Sequence, residues 1–433
     1  MKIAIIGGGI SGMSAAHYLA PDHEVTLFES SPVIGGHTAT IDVQHKGRDY
    51  AIDTGFIVFN DWTYPEFIRL MDSLGVESQP TRMSFSVSDR STGIEYAGSS
   101  LDSLFAQRRN LVSPRFLSLV NGILRFNKQA RIDLEENPEC AAMTLGEYLE
   151  YAGYSAVFRD LYLVPMGAAI WSSSTEMMLQ FPLRFFVRFF HNHGLLNIRN
   201  RPQWRVIKGG SRSYIAPLTA SYWDNIELGN PVTRVTRLDN SQGGYGVEVA
   251  TRDFTAHYDQ VIFACHSDQA LRLLGDASGM EKAILSAIPY TRNDVVLHTD
   301  ASLLPRNRKC WSSWNVAMDG SEMARPSLTY NMNILQGIES EDTFCVTLNQ
   351  RVAIDPGSII GEYEYDHPVF TEEGIRAQQR WSEINGVNNT WFCGAYWRNG
   401  FHEDGVWSAL RVANALANMP ANTGFAAPLA EAV

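Results

Sequence analysis

The chain has 433 residues, 45% hydrophobic and 19% charged, and a formal net charge of −12. It is too long for one compact core and too apolar for disorder, so two folded domains with a cleft between them are expected. The acidic balance excludes a nucleic-acid binder, which needs a surplus of Lys and Arg on some face. The first residues run straight into a strand without a signal-peptide series, and nowhere do 18 apolar residues follow one another, so a cytoplasmic location is expected. Cys140, Cys265, Cys310, Cys345 and Cys393 are far apart and form no C-x-x-C pair, which points to reduced thiols and no metal site.

Residues 2–6 are a short apolar run of the kind a buried parallel strand shows, followed at once by Gly7, Gly8, Gly9, Ile10, Ser11 and Gly12. In this G-x-G-x-x-G spacing Gly7 allows the tight turn, Gly9 lets backbone approach a diphosphate, and Gly12 lets a helix over 11–19 pack on the strand. A second strand over 24–28 ends at Glu29, placed where an acidic side chain about 20 residues on bonds ribose hydroxyls and repels a 2′-phosphate. FAD or NAD fits this register and NADP does not. Gly35 with Gly36, and then Asp53, Thr54 and Gly55, fall outside a plain NAD fingerprint and favour FAD.

Farther on, 117–136, 144–161 and 174–190 read as helices of a cap domain, the second opening with a Thr144–Glu147 capping box. Residues 181–196 (FPLRFFVRFFHNHGLL) concentrate aromatics around Arg184 and Arg188. Buried cap packing is one reading; a surface resting on anionic lipid and admitting an acyl chain is the other. His191 and His193, two apart, do not share a helix face and make a poor metal site. Residues 230–235 and 258–266 read as strands, with 245–251 and 254–258 a hairpin between them. Residues 294–299, 328–335 and 343–349 read as strands roofing the cleft, where Asn331 and Asn333 supply hydrogen bonds. The last unit is a strand over 391–396, a polar loop and a helix starting near Gly405, stopped by Pro420. Its N-terminus is suited to stabilising negative charge on a reduced flavin ring, with Gly405 admitting the ring.

Through both of these terminal units, the chain resembles the superfamily of flavin amine oxidases, phytoene desaturases and protoporphyrinogen oxidases. More narrowly it resembles bacterial FAD-binding proteins often encoded beside cyclopropane-fatty-acid synthases, through FHNHGLL (190–196), KGGSRSY (208–214), VTLNQ (346–350), HPVF (367–370) and GFHEDG (400–405). The resemblance implies an α/β fold in which a Rossmann-like FAD domain (1–85, 205–285 and 385–433) is interleaved with an α+β substrate or cap domain (86–204 and 286–384). It implies non-covalent FAD held by Gly7, Gly9, Ile10, Ser11, Gly12, Glu29, Gly35, Gly36, Val232, Gly394, Gly405 and Val406. His37 stands where the superfamily usually has an arginine.

No second strand-anchored G-x-G-x-x-G is present: Gly209 with Gly210, and Gly243 with Gly244 and Gly246, lack the preceding strand and the later acid. Reducing equivalents are therefore expected from the substrate, with oxygen, a quinone or a carrier protein as electron acceptor. In the amine oxidases a cap-strand lysine holds a water near the flavin; here that stretch reads Arg292, Asn293, Asp294, Val295, Val296. The missing lysine favours dehydrogenation of an apolar substrate, a lipid acyl chain, by hydride transfer to flavin N5. Amine oxidation, redox-neutral double-bond isomerisation and a non-enzymatic carrier on the same fold remain as alternatives. The residues expected over the ring are His367, Phe401, His402 and Glu403, with the histidines as proton carriers, while Asp404 either assists or caps the last helix.

Overall fold

A computed structural model describes residues 1–171, 173–238, 246–318 and 327–418. Gly243, Gly244 and Pro420, together with position 245 at the start of the expected hairpin, lie outside the described residues. Among the described residues the nucleotide-type layer is a five-stranded, all-parallel sheet in the order Ile226–Leu228, Glu24–Glu29, Lys2–Ile6, Gln260–Phe263, Thr390–Phe392. Ile3, Ala4, Ile5, Leu27, Val261, Ile262, Phe263 and Phe392 are fully or almost fully buried in its core, because both faces of a parallel sheet are covered. Two helices, Ile10–Leu19 and His402–Ala417, pack on one another against it. At their crossing a Cβ on Gly405 would lie 2.8 Å from Ile10 Cγ2 and 2.9 Å from Ser11 Oγ. Gly405 is thus required by the close contact between the two helices.

The roof is a seven-stranded sheet in the order Ile359–Pro368, Tyr290–His298, Cys345–Leu348, Ser327–Asn331, Trp314–Met318, Phe85–Asp89, Ile94–Ala97. The pairing is antiparallel except between Trp314–Met318 and Phe85–Asp89. The expected strand over 328–335 ends at Asn331, whose side chain accepts from Ile334 N and turns the chain into a short helix, Met332–Leu335. Asn333 bonds Phe344 N and Asp342 O. The strand expected over 230–235 forms later, at Arg234–Arg237, and joins the hairpin Val247–Ala250 and Thr255–Tyr258 in a separate antiparallel sheet.

The helical lobe is more broken than its hydrophobic pattern suggests. The helix Pro114–Glu136 runs unbroken, but 144–161 divides into Leu145–Tyr151 and Ala156–Phe158, because Gly153 turns at φ +65° and Ser155 caps the next segment. Likewise 174–190 divides into Thr175–Leu179 and Leu183–Asn192 at Pro182, where a proline lacks the N–H a continuous helix would need. In the second piece Leu183, Phe186, Val187, Phe189 and Phe190 are buried. The aromatic run over 181–196 therefore packs inward, its Phe189, His193 and Leu195 reaching the wall of a large cavity, and it does not present the lipid-facing surface considered above. No helix among the described residues is long and apolar enough to cross a membrane.

Candidate active site

The glycine turn is shaped by backbone requirements. Gly7 has φ +114°, and a Cβ there would lie 2.8 Å from Ala264 O, so only glycine suits the turn. A Cβ on Gly12 would lie 1.8 Å from Gly7 O. A Cβ on Gly9 would meet nothing within 4 Å, so its side is open. Gly9 is the N-cap of the helix Ile10–Leu19, which has no side-chain cap and no acidic residue in its first turn. Exposed amides at an uncapped helix start are a ready-made anion site. Gly35 N donates to Gly8 O at 3.0 Å, docking the Gly35–Gly36 turn on this one. The two oxygens of Glu29 accept from Gly8 N and Ser31 N, each at 2.8 Å, fixing its carboxylate at the tip of the second strand. The open Gly9, the uncapped amides and the fixed carboxylate fit the diphosphate and ribose of a dinucleotide.

These residues open into one continuous cavity of about 1660 Å³, larger than the roughly 300–1,000 Å³ of an ordinary small-molecule site. There is room for a cofactor and a substrate together. Gly7, Gly9, Ile10, Ser11 and Glu29 line one end, and Gly36, His37, Val232 and Gly394 also face it. The cavity continues between sheet and helical lobe past Val120, Ile123, Tyr162, Met166, Ile170 and Trp171, none of which stands out in sequence, since apolar lining and apolar core share one pattern. Gly12, Gly35, Gly405 and Val406 do not line it; they hold the backbone of its wall. Asp53 is an internal brace: its Oδ1 accepts from Thr40 Oγ1 at 2.6 Å and from Ser211 N at 2.8 Å, and burial lifts its pKa to about 6.

Of the residues expected over the ring, His367, Phe401 and His402 line the cavity. The chain is already helical at His402. Its imidazole stacks on Phe56 (centroids 3.7 Å, 12°) and its Nε2 lies 3.2 Å from Thr38 Oγ1; Thr38 is in turn hydrogen-bonded to the Tyr214 hydroxyl. His367 Nδ1 lies 3.3 Å from Asn293 Nδ2, and its ring is 5.5 Å from that of His37. Glu403 departs from expectation: its carboxylate turns away from the cavity to accept from Glu66 N (3.2 Å) and Phe67 N (2.9 Å), at the start of the helix Pro65–Ser73. Asp404 accepts from Phe401 N at 2.9 Å and Asn399 N at 3.2 Å. Two carboxyls thus already sit on the first turn of the last helix and offset its positive end.

Burial sets the electrostatics. It lowers the pKa of His367 to about 4 and of His402 to about 3, and carries His37 well below its usual value, with neighbouring histidines adding to the effect. His193 and His298 are likewise lowered to about 4. Burial raises Glu403 to about 7 and Asp404 to about 6. The two sets act oppositely on stability. A histidine that stays neutral when folded is protonated below about 6.5 only in the unfolded chain, so each removes about 1.4 kcal/mol per pH unit between 6.5 and its folded pKa. Asp53, Glu403 and Asp404 take up protons in the folded state first and add stability as pH falls. With five such histidines against three carboxyls, the cofactor-free protein is expected to melt at lower temperature at pH 5 than at pH 6.5. His402→Gln is expected to flatten that slope in melts across this range; an unchanged slope would mean His402 titrates normally.

Comparison with known proteins places this geometry. Residues 10–297 match the family described as flavin containing amine oxidoreductase. Zeta-carotene desaturase of Zea mays is 40% identical over 79 residues, 18% of this chain and 13% of that protein, so the chain matches only a small part of that relative's length. Among solved structures, cyclohexylamine oxidase from Brevibacterium oxydans IH-35A has a TM-score of 0.68 at 18% identity, covering 96% of this chain and 98% of that one. A CLA-producing fatty acid isomerase from P. acnes has a TM-score of 0.65 at 16% identity, covering 96% and 97%. These likenesses show the shared fold, and the sequence match spans more than half of the chain. The chain belongs to the flavin-containing amine oxidoreductase family.

Proposed function

We propose that this protein binds FAD non-covalently and dehydrogenates an apolar substrate, a lipid acyl chain, passing the electrons to oxygen, a quinone or a carrier protein. The observation that carries this reading is the lining of the cavity. Beyond the glycine turn it is largely aliphatic and aromatic, and its charged side chains are Arg82, Arg201, Arg272 and Lys309 against Glu29 and Asp366 among the described residues. Glu29 is committed to the turn. Arg272 and Lys309 are likewise paired, with Asp268 and Asp102, so a cationic amine would meet Arg82 and Arg201 against one remaining carboxylate, whereas an acyl chain meets matching apolar walls. The roof strand supplies no lysine to the cavity: Arg292 and Asp294 are exposed, and Asn293 bonds His367. A relative named for desaturating a carotene supports an apolar substrate. The domain division given from sequence is retained as part of this proposal.

FAD, when bound, supplies a two-electron acceptor. The chain's own residues do the rest. Amides from Gly9 onward hold the diphosphate, Glu29 the ribose hydroxyls, and the Val232 backbone the adenine side. Loss of two hydrogens from a C–C bond releases one as a proton, which needs a base. Protonating His367 at pH 7 costs about 4 kcal/mol and protonating His402 about 5, from their depressed pKa values. His402 is clamped between Phe56 and Thr38 and positions the wall, which leaves His367 as the cavity-lining acceptor.

The test is anaerobic. Phospholipids or fatty acids, and then a panel of amines, are added to the flavin-loaded protein while visible absorbance is followed. Bleaching by lipid is expected. Bleaching by amines alone would replace this reading with amine oxidation, and lipid rearranged without net bleaching would replace it with double-bond isomerisation.

A further inference from the structure

Against a whole-chain charge of −12, residues 101–128 carry Arg108, Arg109, Arg115, Arg125 and Lys128 against Asp102 alone, a net of +4. Arg108 and Lys309 both pair with that one acid. The same stretch exposes large apolar side chains: Leu101 (75%), Leu111 (50%), Val112 (81%), Leu117 (44%) and Leu124 (48%). They lie on the short helix Leu101–Leu104, the turn Arg108–Val112 and the first half of Pro114–Glu136. Leu117 and Leu124 are seven residues apart, two helical turns and about 10 Å along one face. Apolar residues clustered on a surface, and not scattered singly, mark an interaction site. Leu101, Val120, Ile123 and Leu124 also line the large cavity, so the patch and the cavity wall share residues.

We propose that this patch seats the protein on an anionic phospholipid bilayer and that an acyl chain passes between Leu101 and Leu124 into the cavity without crossing water. Apolar side chains enter the acyl boundary while the five cations meet the headgroups, the combination that holds interfacial segments on membranes. The passage of the acyl chain rests on the substrate reading above; the docking does not.

The flavin-loaded protein is sedimented with vesicles of phosphatidylcholine alone and of phosphatidylcholine mixed with phosphatidylglycerol. Binding to the mixed vesicles is expected, weakened by salt, and reduced by at least about tenfold in Val112→Asp/Leu117→Asp and in Arg115→Glu/Lys128→Glu. All four positions are exposed and outside the site, so flavin absorbance and melting temperature should be unchanged. Binding that is absent, or equal in wild type and variants, overturns the proposal, as does a wild-type dimer in light scattering that the same substitutions dissolve. Detergent-dispersed lipid separates the two readings. If it bleaches the flavin while vesicles are not bound, docking alone fails; if vesicles are bound while it does not bleach, the substrate reading alone fails.

Discussion

Gly9→Ala is expected to yield a folded protein that holds flavin weakly. The added methyl group meets no protein atom within 4 Å, and alanine for glycine at this N-cap should cost no more than about 1 kcal/mol of stability. The methyl enters the space where a diphosphate would approach the amides, and overpacking of that kind costs about 1–3 kcal/mol, up to roughly a hundredfold in flavin affinity. Gly12→Ala should behave in the opposite way. Its methyl group would lie 1.8 Å from Gly7 O, so helix and strand must separate, and a loss of more than about 3 kcal/mol in the empty protein is expected. Melting temperature without flavin, together with a flavin-binding titration, distinguishes the two. A Gly9→Ala protein that binds FAD like wild type would sink the assignment of this turn to the diphosphate.

The second large effect concerns Glu403. Glu403→Ala leaves two backbone N–H groups at the start of Pro65–Ser73 without their acceptor in a buried setting, which costs about 1–3 kcal/mol for each orphaned group. Glu403→Gln keeps one carbonyl oxygen and should lose less than half as much. Neither should change turnover per bound flavin by more than about threefold, because the carboxylate does not face the cavity. The pairing of a large stability loss with near-normal turnover separates a bracing role from a catalytic one. A Glu403→Gln protein that is stable yet inactive would return this carboxyl to the chemistry.

Sequence revealed most where structure is decided locally. The strand, glycine turn, helix and terminal acid over residues 2–29 occur where spacing places them, since each step depends on backbone sterics within a few residues. The capping box at Thr144 and Glu147 is present as well. Periodicity misled where it ran through a break: the apolar pattern continues across Gly153 and Pro182, and those two residues, together with Ser155, were the signal for shorter helices. The strand Ile226–Leu228 has three residues and is stabilised by its neighbour, so nothing in its own composition distinguishes it. The acids after Phe401 could not be assigned from the motif alone. Glu403 is spoken for by the amide of Glu66, 337 residues earlier, and no local pattern records that partnership. Gly405 was legible as a close approach, but what approaches it is another helix.

The order in which the parallel sheet is assembled also bears on how the protein is made. Its central strands come from the first and third quarters of the chain, while an edge strand, Thr390–Phe392, and the helix that packs on Ile10–Leu19 come near residue 400. A ribosome releases residues from the N-terminus at about 5–20 per second, so the glycine turn waits some twenty seconds or more for the helix that completes its wall. Through that interval the apolar edge of the growing sheet has no covering partner. Such non-local closure is slow and exposes strands that can pair wrongly. Flavin present during synthesis should therefore raise the yield of native protein by capturing the turn as soon as the last helix docks.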